Sequence, residues 1–312
     1  MRSLRVRVLA SIALLVLAVG CGTAPGDPRG DQQTDGRPVL SISAIPDQDP
    51  HLLQRLYRSL SDYLSDEVGV QVRYIPVTDY AASVTAYTRG DLQLVFFGGL
   101  TGVQARAKVP GSLPIAQRDV DAEFRSVFIT NTASDLSPIR TVAGLTTLAG
   151  HSFTFGSESS TSGRLMPQHF LAEAGVHLDD LAGKPGFSGS HDATAKLVES
   201  GTYQVGVLSA AVWDDRVSAG SIDTGKVREI FRTPTYHDYH WLARPDLDER
   251  FGAGFTKRLT ETVLGIDGSD DTEKRILDMF SAKGFIPTDP GNYRQIEAVA
   301  KTIGMLPSEG GG

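Results

Sequence analysis

Twice along this chain the apolar pattern alternates between strand-like stretches and helix-like stretches, and nothing else in the sequence restricts its fold as much. PVLSISAIP (38–46) reads as a strand running into a loop. LLQRLYRSLSDYLSDEVG (52–69) sets Leu52, Leu56, Leu60, Tyr63 and Leu64 at three- and four-residue steps and stops at Gly69, the pattern of an amphipathic helix. VQVRYIPV (70–77) is a strand, DYAASVTAYTR a helix with Thr78 as its expected cap and Gly90 as its stop, DLQLVFFGG (91–99) a strand, and TGVQARAKV a helix. LPIAQRDV and FRSVFITN follow as strands. After residue 130 the alternation repeats, with HSFTFGS, PGFSG and YQVGVLSA as strands and SGRLMPQHFLAEAG, HDATAKLVESG and AAVWDDRVSAG as helices. VREIFRTPTYHDYHWLARPDL reads as extended chain returning to the first unit, and FGAGFTKRLTETVLG and TEKRILDMFSAKGF as helices packed on it. This order calls for an α/β fold with mainly parallel strands. Two such units joined by extended crossings make a two-lobed body, with residues 38–127 and 240–312 in one lobe and 128–239 in the other. Open α/β sheets bind ligands outside the carboxyl ends of their strands, so the cleft between the lobes is where binding residues are expected.

Residues 1–20 are expected to lie outside that body. MRSLRVR carries Arg2, Arg5 and Arg7 and no acid; the apolar run VLASIALLVLAV is too short to span a bilayer comfortably; Gly20 then precedes Cys21. This is the layout of an export signal, and its LAVGC ending resembles a bacterial lipobox, in which the cysteine is lipidated. Cys21 is the only cysteine of the chain, so it forms no internal disulfide and an anchoring role explains it best. Residues 21–37, rich in Gly, Pro, Asp and Gln, read as a flexible tether between that lipid and the folded body. The expectation is an exported protein held on the outer face of the cytoplasmic membrane.

The whole chain has 30 Lys and Arg against 37 Asp and Glu, a formal charge of −7. Removing residues 1–20 takes away three Arg and no acid, leaving 27 basic groups and a charge of −10. That balance excludes nucleic acid as a partner and rules out bulk electrostatic attraction of anions.

Several stretches carry donors in place of charge. FGSESSTSG (155–163) packs five hydroxyl side chains into six residues between a strand and a helix. The first N–H groups of a helix lack intrahelical partners, and its dipole adds positive potential there. Ser159, Ser160, Thr161 and Ser162 therefore make a ready oxyanion site, without the lysine of a nucleotide loop. Glu158 is expected to point away, and Pro167 to kink or restart the helix a turn later. In GFSGSHDATAKLVESG (186–201) Ser190 or Asp192 can cap a second helix, placing His191 at its start as a donor. Tyr80, in the first turn of a first-lobe helix, can reach across the cleft. Gly98 and Gly99 allow close backbone approach at a strand end. In TPTYHDYHW (233–241), Tyr236 and Asp238 are the candidates to line the cleft; a metal site at His237, Asp238 and His240 is not expected, because extended chain alternates its faces. No cofactor is called for. A Ser–His–Asp hydrolase is not expected either, since no G-x-S-x-G elbow occurs and the hydroxyls are redundant.

TDYAA, FFGG, SSTSG, GSHDA, YQVG and TPTYHDY, in this order, resemble the periplasmic phosphonate-, phosphite- and phosphate-binding proteins of ABC importers, over roughly residues 40–305. GSHDATAKLVE and YHDYHW are similar to a branch associated with selenate uptake. The resemblance implies the two-lobed class II binding-protein fold and a non-enzymatic role: capture of a small tetrahedral oxyanion and delivery to an ABC permease, by a monomer. It implies anion contacts from Ser160, Thr161, Ser162, His191 and Tyr80, and from Ser126 at the first crossing, where Phe124 replaces a frequent tyrosine. Asp238 matches one position that receives the amine in aminophosphonate binders, but the other falls near Ala211, which accepts nothing. A carboxylate facing the anion needs a proton on the ligand, so an inward Asp238 favours a protonated phosphorus oxyanion and an outward one leaves selenate open. The same cleft would also serve a sensor that signals occupancy to a kinase or receptor.

Overall fold

The structure, a computed structural model, describes residues 38–307; the export signal, Cys21 and the tether lie outside them. The described chain runs β1 (Leu40–Ala44), α1 (Pro50–Val68), β2 (Val72–Tyr74), α2 (Tyr80–Arg89), β3 (Leu94–Phe97), α3 (Gly99–Lys108) and β4 (Leu113–Arg118). It continues with β5 (Ser126–Asn131), β6 (Phe153–Phe155), α4 (Met166–Glu173), β7 (Gly186–Phe187), α5 (His191–Glu199), β8 (Val205–Ser209), α6 (Ala210–Ser218) and β9 (Val227–Arg232). It ends with β10 (His240–Ala243), α7 (Leu247–Phe251), α8 (Phe255–Leu264), α9 (Asp271–Phe280), β11 (Phe285–Ile286) and α10 (Arg294–Ile303). Among the described residues no helix is long and apolar enough to cross a membrane.

The strands form two sheets, ordered β11-β4-β10-β3-β1-β2 and β7-β6-β8-β5-β9. Both are mixed, which corrects the expectation of mainly parallel pairing: four strand pairs are parallel and five antiparallel. The reason lies in the crossings. The chain leaves the first sheet after β4, and its first strand in the second sheet, β5, wedges antiparallel between β8 and β9. It returns on β10, which wedges antiparallel between β3 and β4. Each returning strand is fully covered: Trp241 and Leu242 in β10, and Val127 and Phe128 in β5, have no exposed surface. Burial of such side chains stabilises the fold by roughly 1.5–3 kcal/mol each, so insertion at the sheet centre is favoured over pairing at an edge.

The two crossing segments, residues 119–125 and 233–239, are joined by an antiparallel bridge, where Phe124 and Tyr236 exchange both backbone bonds at 2.9 and 3.0 Å, by the Asp238 N–H donating to Asp121 O at 3.1 Å and by Arg125 Nη1 donating to Thr233 O at 2.6 Å. The terminal helices α8 and α9 pack on α1 as expected; α10 packs on α3 and also touches α4, so the tail reaches both sheets.

Helix caps show the local chemistry. Asp79, not Thr78, caps α2, its carboxylate accepting the Ala82 N–H at 2.7 Å while the Thr78 hydroxyl donates to that same carboxylate. Ser190 caps α5. The stretch after β6 enters its helix through a π-turn, Thr161–Leu165, before α4 begins with Pro167 in its first turn. The Leu165 N–H donates back to Ser160 O at 3.0 Å, the five-residue step of that turn. Pro167 has no N–H to give, so it sits where the helix restarts.

Candidate functional site

Four helix starts converge between the sheets, those of α2, α3, α5 and the π-turn ahead of α4. Each brings N–H groups without intrahelical partners and the positive end of a dipole. The start of α3 meets the π-turn directly: the Leu100 N–H donates to Thr161 Oγ1 at 3.0 Å, and the Gly99 N–H donates to Asp238 Oδ1 at 2.8 Å. Gly98 is needed for this meeting, because a Cβ there would stand 3.2 Å from Thr161 Oγ1 and 3.3 Å from Asp238 Oδ1. Tyr80, at the first position of α2, is buried, with Ser160 beside its hydroxyl.

The hydroxyl cluster divides its labour. Ser160 caps the turn by accepting the Gly163 N–H at 2.9 Å. Ser126 donates to the Ser162 carbonyl at 2.8 Å, so the 2.6 Å contact between Ser126 and Tyr236 has the tyrosine as donor. The hydrogens of Ser126 and Tyr236 are thus engaged in holding Ser162. Ser159 is half-buried, and its N–H turns back to Ser157 Oγ at 3.4 Å; no bond joins it to the other candidates. Glu158 is exposed.

Three buried polar atoms on these candidates have no partner: the Tyr80 hydroxyl, Ser162 Oγ and Asp238 Oδ2. Leaving one such group unmet costs about 1–3 kcal/mol. Burial pushes the Asp238 carboxyl up to about 7, against the pull of the Gly99 N–H and the Thr161 hydroxyl. Its neighbours in sequence part company with it: His237 Nδ1 lies 3.2 Å from Gln117 Oε1, and the His240 ring packs on Tyr293 at 4.1 Å.

His191 is fully buried at the start of α5, as its position in the sequence suggests. The Ser209 N–H donates to Nδ1 at 3.3 Å, which puts the ring proton on Nε2, 3.2 Å from the Tyr239 hydroxyl. That hydroxyl in turn donates to Asp47 Oδ2 at 2.7 Å. Burial lowers the histidine to about 4, so the ring is neutral at physiological pH, and raises Asp47 to about 6. Arg118 stacks 4.9 Å over the Tyr239 ring with Nε and Nη2 each 2.7 Å from Asp121. The candidate residues themselves meet an anion with hydroxyls, N–H groups and a neutral imidazole; Arg164, in the same π-turn, stacks over the rings of Phe155 and Phe187 at 4.8 and 4.6 Å.

Asp47 and Tyr239 were missed by sequence reasoning. Asp47 follows the carboxyl end of β1, a position the crevice rule for α/β sheets could have flagged. Tyr239 sits inside the TPTYHDYHW run, and its role became visible only through its partners.

Over residues 42–293 the chain matches the family described as ABC transporter, phosphonate, periplasmic substrate-binding protein. It is 46% identical over 269 residues, 86% of this chain and 91% of the other, to the probable ABC transporter phosphite binding protein PhnD1 of Prochlorococcus marinus strain MIT 9301. It is 24% identical to the phosphate-import protein PhnD of Mycolicibacterium smegmatis, across 97% of this chain and 98% of that one. Among solved structures, PhnD1 of the same Prochlorococcus strain in complex with methylphosphonate superposes with a TM-score of 0.84 at 46% identity, covering 86% of this chain and 99% of that chain.

Proposed function

This chain belongs to the phosphonate periplasmic substrate-binding proteins of ABC transporters, and from that premise we propose that it captures a small phosphorus oxyanion that carries a proton, phosphite or methylphosphonate, in the closed cleft between its sheets. Members of the family bind a small ligand and work with a permease; the relatives are binding proteins, not enzymes. The observation that carries the ligand reading is the set of three partnerless buried atoms on Tyr80, Ser162 and Asp238. A tetrahedral oxyanion offers acceptors to the two hydroxyls. Its remaining proton, or the one that Asp238 holds up to about 7, lies between the ligand and Oδ2. Phosphite and methylphosphonate carry such a proton near neutrality and selenate does not, so the inward Asp238 argues for phosphorus. Ala211 offers no acceptor for an amine, which argues against aminoalkyl phosphonates.

In this reading Thr161 and the start of α3 frame the anion, Ser126 and Tyr236 orient Ser162, and His191 acts through Tyr239. Calorimetry of the mature protein at pH 7 against phosphite, methylphosphonate, phosphate, sulfate and selenate tests it. Phosphite or methylphosphonate should bind most tightly, and Thr161→Ala should weaken binding by about tenfold or more, the scale of one charge-assisted hydrogen bond. Equal affinity for selenate would refute the role given to Asp238. The same proposal includes export and a lipid at Cys21. Membrane fractions should retain the wild-type protein and lose the Cys21→Ser variant; retention of both would remove the anchor from the reading.

A further inference from the structure

The mouth of the cleft is fastened by groups that do not reach the three partnerless atoms. Residues 47–49 form a short loop between β1 and α1, on the first sheet. Two direct bonds and one relay tie it across to the start of α5, on the second. The His191 N–H donates to Asp47 O at 2.9 Å. The Asp49 N–H donates to Asp192 Oδ2 at 2.8 Å. The His191 ring reaches the same loop through Tyr239 and the Asp47 carboxylate.

Asp192 is free for this task because Ser190 caps α5 in its place. It is aimed by Arg216 of α6, whose Nε and Nη2 lie 2.6 and 3.0 Å from its two carboxylate oxygens. Arg216 Nη2 also lies 3.5 Å from Gln48 Oε1, on the loop itself. Asp49 in turn caps α1, its carboxylate accepting the His51 and Leu52 N–H groups at 3.0 Å each. Through one carboxylate the first helix of one sheet is therefore joined to the ligand-facing helix of the other. The Asp192 and Arg216 side chains keep 27% and 23% of their surface exposed, so water can replace these bonds when the cleft opens. Both border a cavity of about 530 Å³ at the surface. A bond that exists only when the sheets are together, and whose broken ends are readily hydrated, favours closure without making it irreversible.

We propose that Asp192, positioned by Arg216, is a latch between the lobes that sets how long the closed cleft retains its anion, whichever anion that is. The latch rests on the reading of an anion held between lobes that close, and it makes a prediction the anion contacts do not. Stopped-flow displacement with phosphite and with methylphosphonate reads it directly. Asp192→Ala should raise the dissociation rate of both ligands by the same factor, about five- to tenfold for one partly exposed charge-assisted bond, with the association rate unchanged. Asp192→Asn keeps an acceptor for the Asp49 N–H and should recover part of the loss. Arg216→Ala combined with Asp192→Ala should be no faster than Asp192→Ala alone.

Unchanged dissociation with a lowered melting temperature would make Asp192 a structural ion pair and overturn the proposal, as would acceleration for one anion only. If the wild-type protein binds neither anion, the oxyanion reading fails separately. Small-angle scattering without ligand then decides the latch: Asp192→Ala should have the larger radius of gyration, and equal radii overturn it.

Discussion

Asp238 and Asp47 are two buried carboxylates beside the candidate site, and burial pushes both upward, to about 7 and about 6. A carboxyl that holds its proton more tightly folded than unfolded stabilises the fold fully below the ordinary carboxylate range. That stabilisation is lost as pH rises through the folded value. A tenfold tighter hold on the proton corresponds to about 1.4 kcal/mol, so Asp238 alone can account for a few kcal/mol across the window from about 4 to about 7. The melting temperature of the ligand-free protein should therefore fall between pH 5 and pH 8. Asp238→Asn is neutral throughout and should flatten the upper part of that fall. The same variant presents an amide donor where the ionised carboxylate repels, so at pH 8 it should gain affinity for sulfate and selenate. A melting profile as steep as that of the wild type, with no gain for selenate, would show that Asp238 does not control the site. Asp238 was singled out in the sequence through the resemblance of TPTYHDY, which matches it to a carboxylate position of the family. Asp47 was not, because a lone aspartate after a strand looks like any turn residue until Tyr239 and His191 are brought against it.

At the scale of elements, what could be read was whatever local periodicity and capping encode. The alternation of strands and helices in both units is present, and the return toward helix after FGSESSTSG was readable from Pro167. Strand direction was not readable. Hydrophobic spacing reports which faces are buried, and both β5 and β10 are buried on both faces whichever way they run. Their antiparallel insertion follows from where the two crossings enter each sheet, a property of the folded chain as a whole. The cap of α2 failed for a more local reason. Thr78 and Asp79 are both good capping types, and extended backbone at Asp79 (φ −156°) lets its carboxylate reach Ala82. The π-turn at Thr161–Leu165 likewise has no periodic signature. It widens the start of the helix by one residue, which leaves Ser162 Oγ unpartnered while the Ser162 carbonyl is held by Ser126.

At the scale of the whole molecule the formal charge of −7, and −10 without residues 1–20, opposes an anionic ligand at long range. Arg118 is paired with Asp121, and His191 is neutral. Attraction must come from hydroxyls, N–H groups and helix starts acting over a few ångströms in a site closed to water, where salt does not penetrate. Two consequences separate this from binding by a basic patch. Salt screens the long-range repulsion, so the association rate should rise modestly between about 20 and about 500 mM NaCl, conditions over which the Debye length falls from about 20 Å to about 4 Å. The dissociation rate should change little, because the closed site and its Asp192 latch are local. Affinity for phosphite should therefore hold within about threefold over that range or improve slightly. A basic site would lose affinity steeply over the same range. Stopped-flow rates at the two salt limits distinguish the cases, and a tenfold or greater loss of affinity at high salt would mean that an unbalanced cation, not the array of neutral donors, holds the anion.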